Sequence, residues 1–153
     1  MATVDIREIR RLLASGQRLM GLDVGTKTVG IALSDVTLMI ATPLETLRRT
    51  KFSQDAAVIV ERVRTHGVGG FVVGLPVEMG GGEGPRCQGV RQFGENLLGF
   101  IDLPLAFWDE RLSTSAVERI LIGEADLSRR RRKEIVDRAA AAYILQGALD
   151  LVR

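Results

Sequence analysis

Hydrophobic and polar residues recur with two periods along this chain, one typical of strands and the other typical of helices. Five short stretches dominated by apolar residues predict strands, at residues 19–22, 29–33, 38–47, 70–74 and 105–108. Apolar residues spaced three and four apart predict helices at residues 1–15, 53–66, 87–99, 113–121 and 130–151. Pro43 interrupts the third predicted strand, so we expect that strand at an edge of the sheet or at a bulge.

The order of these elements predicts an α/β fold built on one mixed five-stranded sheet. Short turns join the first three strands, which makes them antiparallel neighbours, whereas helices join the later strands and make them parallel. We therefore expect helices on both faces of the sheet. We also expect a single domain over residues 1–153, in which residues 1–17 form an N-terminal helical extension. Ligands of such sheets bind at the carboxyl ends of the strands.

The bulk composition is that of a globular protein without a membrane segment. The chain has 153 residues, of which 46% are hydrophobic and 26% are charged. This is enough for one domain that buries roughly two-thirds of the surface of its unfolded chain. No apolar run is long enough to cross a bilayer, and the N-terminus lacks the continuous apolar core of a signal peptide. The single cysteine excludes an internal disulfide. We therefore expect a cytoplasmic protein with no membrane partner.

Three carboxylates occupy positions where a charge is costly to bury. Asp23 ends the first apolar run, Glu110 follows the fifth strand, and Asp137 lies in the last helix. A buried carboxylate is destabilising unless it is paired or bound to a metal. Ala140 and Ala141 follow Asp137 on the same helical face, and such small residues let a helix approach a sheet closely. We expect the helix to bring Asp137 to the strand ends, so that the three acids form one site.

Carboxylates grouped in this way are suited to Mg²⁺ or Mn²⁺, because these hard cations prefer oxygen ligands. Two such ions about 3.5–4 Å apart can activate a water molecule and stabilise the leaving oxygen of a phosphodiester. Asp23, Glu110 and Asp137 are therefore candidate catalytic residues and candidate metal ligands. Other roles stay open, namely a turn for Asp23, favourable charges near the next helix for Asp109 and Glu110, and an ion pair for Asp137. Asp109 or Glu134 could also replace Glu110 as the second ligand.

Basic residues lie close to these acids in the sequence. A run of five cations occupies residues 129–133, one to two turns before Asp137, and such a run can neutralise several phosphates of a nucleic acid. The alternative is a solvated start of the last helix. Three further cations could extend a basic track across the strand ends. The candidate nucleic-acid-binding residues are Lys27, Arg86, Arg111, Arg129, Arg130, Arg131, Arg132 and Lys133.

Four sequence motifs together resemble the YqgF/RuvX family, over roughly residues 18–151. In chain order the motifs are DVGTKTVGIALSD (23–35), VGLP (73–76), WDERLST (108–114) and DRAAAAYILQ (137–146). The resemblance implies a ribonuclease-H-like fold. It also implies that Asp23, Glu110 and Asp137 are the acidic, metal-linked set and that the turn at residues 74–76 forms part of the site wall.

The same resemblance suggests a function. The family is described as Holliday-junction-resolvase-like and as a proposed nuclease of pre-16S ribosomal RNA. It therefore implies a hydrolase of ester bonds, a nuclease of the two-metal-ion type, that processes the 5′ end of precursor 16S rRNA with Mg²⁺ or Mn²⁺. Two positions depart from the family pattern. Thr28 stands where an arginine is common, which removes one phosphate contact, and Ser113 replaces the usual threonine.

Three alternative functions stay open at this point. A Holliday-junction DNA resolvase would require a symmetric dimer, and a non-catalytic module would bind ribosomal RNA or ribosome-assembly proteins. Residues 23–27 also resemble the first phosphate motif of the actin and sugar-kinase type, but those proteins bind ATP between two such domains. RNA is the favoured partner because of the family resemblance. The residues themselves leave open the choice between RNA and DNA, between endonuclease and exonuclease, and between monomer and dimer.

Overall fold

The computed structural model describes residues 3–78, 80–110 and 129–152, the last segment with side chains from Arg138 onward. Five strands form one sheet: β1 (Arg18–Val24), β2 (Thr28–Ser34), β3 (Ala41–Arg48), β4 (Val68–Leu75) and β5 (Leu105–Asp109). The described helices are α1 (Ile6–Leu12), α2 (Phe52–His66), α3 (Pro85–Leu98) and α4 (Arg129–Val152). The helix predicted at residues 113–121 lies outside the described residues.

The sheet is mixed, with the strand order β3-β2-β1-β4-β5. β1, β2 and β3 pair antiparallel through short turns, whereas β4 pairs parallel with β1, and β5 pairs parallel with β4. β3 forms one edge, and its register with β2 shifts beside Pro43. Both expectations for this proline, an edge strand and a bulge, are therefore confirmed. The predicted five-stranded mixed sheet is also confirmed.

The hydrophobic core lies on both faces of the sheet, because successive side chains of a strand point to opposite faces. On one face Met20 and Leu22 pack with α2 and α3, and on the other face Leu19 packs with α1 and α4. β4 is buried along its whole length, as expected for a parallel strand that is covered on both sides. The prediction of helices on both faces is confirmed. Among the described helices, none combines the length and apolar character that a membrane span requires.

Helix α4 runs with its N-terminal end toward the carboxyl ends of β1 and β4. Its last residues lie beside α1, where the Arg10 guanidinium donates a hydrogen bond to the carbonyl of Val152 at 3.4 Å. That end of the molecule also contains the start of β5, since the Val4 amide donates to the carbonyl of Leu105 at 2.9 Å. The first turns of α4 therefore lie at the opposite edge of the sheet, where β1 and β4 end.

Close contact between α4 and the sheet depends on a glycine in β1. A Cβ atom at Gly21 would lie 2.8 Å from the Leu145 Cβ and 2.9 Å from the Ala141 carbonyl oxygen, distances that real Cβ atoms essentially never show. Ala141 and Leu145 are fully buried against the sheet at this point. The small residues of the last helix thus have the role predicted for them, and the helix backbone is held close to the strands.

Candidate active site

Two of the three predicted acids meet at the carboxyl edge of the sheet. Asp23 is the penultimate residue of β1, and Glu110 follows the last residue of β5. The two strands lie on either side of β4, yet the Glu110 carboxyl is in hydrogen-bond contact with the Asp23 side chain. Both residues are partly buried. The structure therefore brings Asp23 and Glu110 together from residues that are far apart in the sequence.

Gly74 of β4 makes this meeting possible. It pairs with Trp108 of β5, and the pairing of Leu22 with Val73 places Asp23 beside it on the other side. A Cβ atom at Gly74 would lie 2.8 Å from the Glu110 Oε2 and would overlap the Ile144 side chain. Any side chain at this position would therefore occupy the space through which Glu110 reaches Asp23. At the turn predicted to form part of the site wall, residues 74–76, the contribution of Gly74 is the space left by its missing side chain.

The environment of Glu110 disfavours its negative charge. Burial raises the pKa of the Glu110 carboxyl, and the nearby charge of Asp109 raises it further. The positive charge of Arg86 and the contact with Asp23 lower the pKa and only partly compensate for the burial. When both are ionised, the carboxylates of Asp23 and Glu110 place two negative charges close together. A cation or a proton placed between them would stabilise the site.

The backbone of residue 137 lies at the same edge of the sheet as this pair. Asp137 precedes Ala141 by four helix residues, about 6 Å, and Asp23 follows Gly21 by two strand residues, about 6.6 Å. Because the Ala141 carbonyl lies over Gly21 and α4 points its N-terminal end this way, residue 137 lies near the level of Asp23. Its side chain lies outside the described residues, as does that of Glu134. The role of Asp137 stays a prediction.

The described side chains alone do not complete a metal site. Among them, no group of three or more histidine, cysteine, aspartate or glutamate residues is arranged to hold a metal ion. The chemistry of Asp23 and Glu110 nevertheless fits Mg²⁺ or Mn²⁺, since both supply carboxylate oxygens and lie within contact of each other. The predicted third ligand is Asp137.

Two of the predicted nucleic-acid-binding residues are exposed near the acidic pair. Lys27 lies in the turn between β1 and β2, and Arg86 lies in the first turn of α3. Arg86 is close enough to Glu110 for its charge to lower the carboxyl pKa. The structure places the backbone of residues 129–133 in the first turns of α4, at the same edge. The side chains of these five cations and all of Arg111 lie outside the described residues.

Asp35, at the end of the first motif, belongs to a turn and not to this site. Its carboxylate accepts hydrogen bonds from the Met39 amide at 2.7 Å, the Ile40 amide at 3.0 Å and the Thr37 hydroxyl. These bonds, of which that from Thr37 has the largest effect, lower the pKa of Asp35 to about 2. The acid holds together the turn between β2 and β3, at the edge of the sheet opposite to Asp23.

Trp108 is a packing residue of β5. Its indole ring lies 3.1–3.2 Å from where a Cβ atom at Gly147 would be, so that it fills the space between β5 and α4. The indole Nε1 is buried and has no hydrogen-bond partner in the described part of the chain. The ring is therefore engaged in packing between β5 and α4.

One exposed cation near the site, Arg49, carries no signal in the sequence. It lies between β3 and α2 and lines a cavity of about 290 Å³ with residues of the β1–β2 turn and of α3. Its side chain donates a hydrogen bond to the Gly25 carbonyl at 2.7 Å. Contacts between segments distant in the sequence connect it with the site, so neither spacing nor a motif could have identified it.

The family of the chain follows from a match over most of its length. A family model described as "RuvX: Holliday junction resolvase" matches residues 17–151. The chain belongs to the RuvX family. This confirms the resemblance that the four motifs predict. It also places Asp23, Gly74 and Glu110 within the matched region.

Curated relatives with the name "Putative pre-16S rRNA nuclease" match nearly the whole chain. A protein of Paramagnetospirillum magneticum is 62% identical over 143 residues, which are 94% of this chain and 92% of its own length. A protein of Rhodospirillum rubrum is 57% identical over 90% of this chain and 86% of its own length. A protein of Phenylobacterium zucineum is 51% identical over 100% of this chain and 99% of its own.

Solved structures share the fold of this RuvX chain at low sequence identity. Thermus thermophilus RuvC, solved in complex with a Holliday junction substrate, gives a TM-score of 0.54 at 12% identity, over 88% of this chain and 95% of that one. The Fowlpox virus resolvase, solved with Holliday junction DNA, gives 0.52 at 7% identity, over 90% of this chain and 100% of that one. These similarities concern the fold alone, and they confirm the predicted ribonuclease-H-like class.

Proposed function

We propose that this chain is a metal-dependent nuclease that hydrolyses phosphodiester bonds at the 5′ end of precursor 16S ribosomal RNA. Relatives between 51% and 62% identical over nearly the whole chain are named for pre-16S rRNA, and they support this substrate. The observation that carries the proposal is the contact of Asp23 with Glu110 across Gly74. It lies at the carboxyl edge of the sheet, where ligands of such folds bind.

Asp23 and Glu110 would hold Mg²⁺ or Mn²⁺, with Asp137 as the third ligand. Their oxygens suit hard cations, and a cation would offset the burial that raises the pKa of Glu110 and disfavours its charged form. When bound, a pair of such ions activates a water molecule and stabilises the leaving oxygen of a phosphodiester. The two-metal-ion arrangement is the one that we propose for this site.

The remaining residues of the edge would position the RNA. Gly74 leaves the space in which the two carboxylates meet, and Arg86 places a positive charge beside Glu110. Lys27 is exposed on the adjoining turn. We propose that these cations, Arg111 and the basic run at residues 129–133 contact phosphates of the RNA backbone. Such contacts would counteract the repulsion between the acidic pair and an approaching phosphate.

The proposal is tested by cleavage assays on three substrates. A transcript with the precursor 5′ end of 16S rRNA, an unrelated single-stranded RNA and a four-way DNA junction are incubated with the protein, with Mn²⁺ and with chelator. We expect cleavage of the precursor transcript that needs metal. Asp23→Asn should lower the cleavage rate by at least a factor of about 100, because losing even an outer partner of a metal ligand often costs about 10- to 100-fold. Asp150→Asn, an exposed acid at the other end of α4, is the matched control.

Each outcome of this assay has a definite meaning. Turnover retained by Asp23→Asn, in protein free of contaminating nucleases, would remove Asp23 from the mechanism. Preferred cleavage of the junction would replace RNA processing with junction resolution, which also requires a dimer. Tight RNA binding without cleavage of any substrate would indicate a non-catalytic module that binds ribosomal RNA or assembly proteins. The cytoplasmic location stays a prediction.

A further inference from the structure

A cavity of about 290 Å³ opens beside the acidic pair, on the α3 side of the sheet edge. Val24 and Val90 form apolar wall, Gly25 contributes backbone, and Arg49 and Arg86 contribute positive charge. Val24 directly follows Asp23 in β1, and its side chain points to the face opposite to that of Asp23. The cavity and the acidic pair therefore lie on opposite sides of the same strand end.

Arg49 is held in a fixed position at the rim of this cavity. Its backbone amide donates to the Lys27 carbonyl at 2.9 Å, and its guanidinium donates to the Gly25 carbonyl at 2.7 Å. The guanidinium also lies over the Phe93 ring, 5.3 Å from the ring centroid. Within the described part of the chain, the bond to Gly25 is the one hydrogen bond of the Arg49 side chain, which has five N–H donors. The remaining donors are available to an anion without further ordering of the side chain.

Arg86 connects the cavity with the acidic pair. It lines the cavity, and its charge acts on the carboxyl group of Glu110. An anion held by both arginines would therefore lie on the other side of the strand end from the acids, and it would share Arg86 with Glu110. Planar guanidinium groups bind phosphate oxygens in pairs, which makes phosphate the anion that suits two arginines at one cavity.

Gly89 is an independent indication that a ligand enters the cavity. It lies within α3, where glycine is less favourable than alanine, and it lines the cavity. A Cβ atom at this position would meet no atom within 4 Å. Packing of the described residues therefore gives no reason for a glycine here, whereas a bound group that enters the cavity does.

We propose that this cavity binds a backbone phosphate of the nucleic-acid strand, next to the phosphodiester that lies at the acidic pair. Arg49 and Arg86 contact this phosphate, and the space beside Gly89 admits the chain. The assignment rests on the proposed function, since it takes the ligand of the acidic pair to be a nucleic acid. Arg49 thereby becomes a substrate-binding residue, and the strand is fixed on both sides of the end of β1.

Binding measured in chelator separates this assignment from cleavage. The anisotropy of a labelled single-stranded RNA gives the dissociation constant and its dependence on salt. We expect Arg49→Ala to weaken binding about tenfold, the size of one charged hydrogen-bond contact. It should also reduce the slope of log K against log salt by about 0.7, the value for one phosphate of a single strand. The control is Arg64→Ala, an exposed cation near the C-terminal end of α2, at the opposite edge of the sheet.

Filling the cavity tests the assignment without removing a charge. Gly89→Leu places a side chain in the open space and should weaken RNA binding to the same extent as Arg49→Ala, while the melting temperature stays equal or rises. Gln88→Leu adds the same side chain to an exposed neighbouring position of α3 that does not line the cavity. We expect Gln88→Leu to bind RNA like the unmodified protein.

Replacing single phosphates identifies the contact. Each oligonucleotide of a set carries one neutral methylphosphonate linkage, at a different position, on a deoxy sugar. Its control carries the deoxy sugar at the same position with an ordinary phosphate. At one position the replacement should weaken binding of the oligonucleotide to the unmodified protein. At that position it should not weaken binding to the Arg49→Ala variant any further. If no position shows this coupling, or if Arg49→Ala binds like Arg64→Ala, the assignment is wrong even where RNA is cleaved. Coupling without cleavage in Mn²⁺ would support the phosphate site and refute the nuclease.

Discussion

Two acidic regions at opposite edges of the same sheet shift the pKa of a carboxyl group in opposite directions. Asp35 accepts three hydrogen bonds from its own turn, and these lower its pKa to about 2. Glu110 is partly buried beside Asp23, and burial raises its pKa. The first carboxylate is stabilised by the protein alone. The second is placed where the protein gives its charge too little stabilisation, which is what a cation-binding site requires.

This contrast separates structural acids from candidate ligands within one motif. Asp23 and Asp35 both belong to the stretch at residues 23–35, and each comes after an apolar run that predicts a strand. Their positions differ because β1 and β2 run in opposite directions, so that the end of one strand lies at the carboxyl edge and the end of the other does not. Only Asp23 meets a second acid there.

The largest expected effect comes from filling the space in which the acids meet. Gly74→Ala should destabilise the protein by about 1–3 kcal/mol, the usual cost of overpacking, because the new Cβ would overlap Ile144 and approach the Glu110 Oε2. It should also displace Glu110 and abolish metal-dependent cleavage. Chemical denaturation measures the first effect.

For the stability measurement, the matched control is Gly89→Ala. Its Cβ meets no atom within 4 Å, so it should stabilise the protein by about 0.5–1 kcal/mol, through the better helix propensity of alanine. Equal stabilities of the two alanine variants would show that α4 does not lie as close to β4 as described.

A smaller effect is expected at the structural acid. Asp35→Asn should lower the melting temperature by about 2 °C, roughly half of a kcal/mol in a chain of this size, because the turn loses its charged acceptor. The pKa of Asp35 is lowered, so its contribution is fully present above the ordinary aspartate range and is lost as the pH falls toward about 2. Melting curves between pH 5 and pH 2 would measure it. A variant whose stability follows that of the unmodified protein over this range would contradict the assignment.

The smallest effect, of opposite sign, is expected at the acidic pair. In chelator, Glu110→Gln should raise the melting temperature by about 1–2 °C at neutral pH, since it removes a charge that burial disfavours. Because the pKa of Glu110 is raised, the unmodified protein loses stability as the pH increases through that pKa, and the gain of the variant should grow with pH. Glu61→Gln, an exposed acid on α2, is the control. A lower melting temperature for Glu110→Gln would mean that the carboxylate is structurally paired.

Most of the fold could be predicted from the sequence because its signals are local. The apolar runs gave all five strands, although β1 begins at Arg18 and β5 ends at Asp109, where polar residues extend the hydrogen-bonded ladder. The connections predict the strand directions, since short turns join antiparallel strands and helices join parallel ones. The position of Pro43 at an edge and a bulge followed from its missing amide.

The candidate site was only partly predictable, because some of its parts depend on contacts between distant segments. Asp23 and Glu110 are candidates from the sequence because each lies at the carboxyl end of a predicted strand. That Glu110 reaches across β4 depends on Gly74. The motif at residues 73–76 implies a site wall there, but not the space that the missing side chain leaves. Arg49 is a loop cation whose role appears only when its bond to Gly25 is seen.

Direct titration with Mn²⁺ tests the central claim, that Asp23 and Glu110 form a divalent-cation site. Calorimetry should show binding to the unmodified protein and to Asp150→Asn with the same affinity. Asp23→Asn and Glu110→Gln should each bind at least about tenfold more weakly, since each removes an oxygen ligand. Unchanged Mn²⁺ affinity in both of these variants would contradict the account.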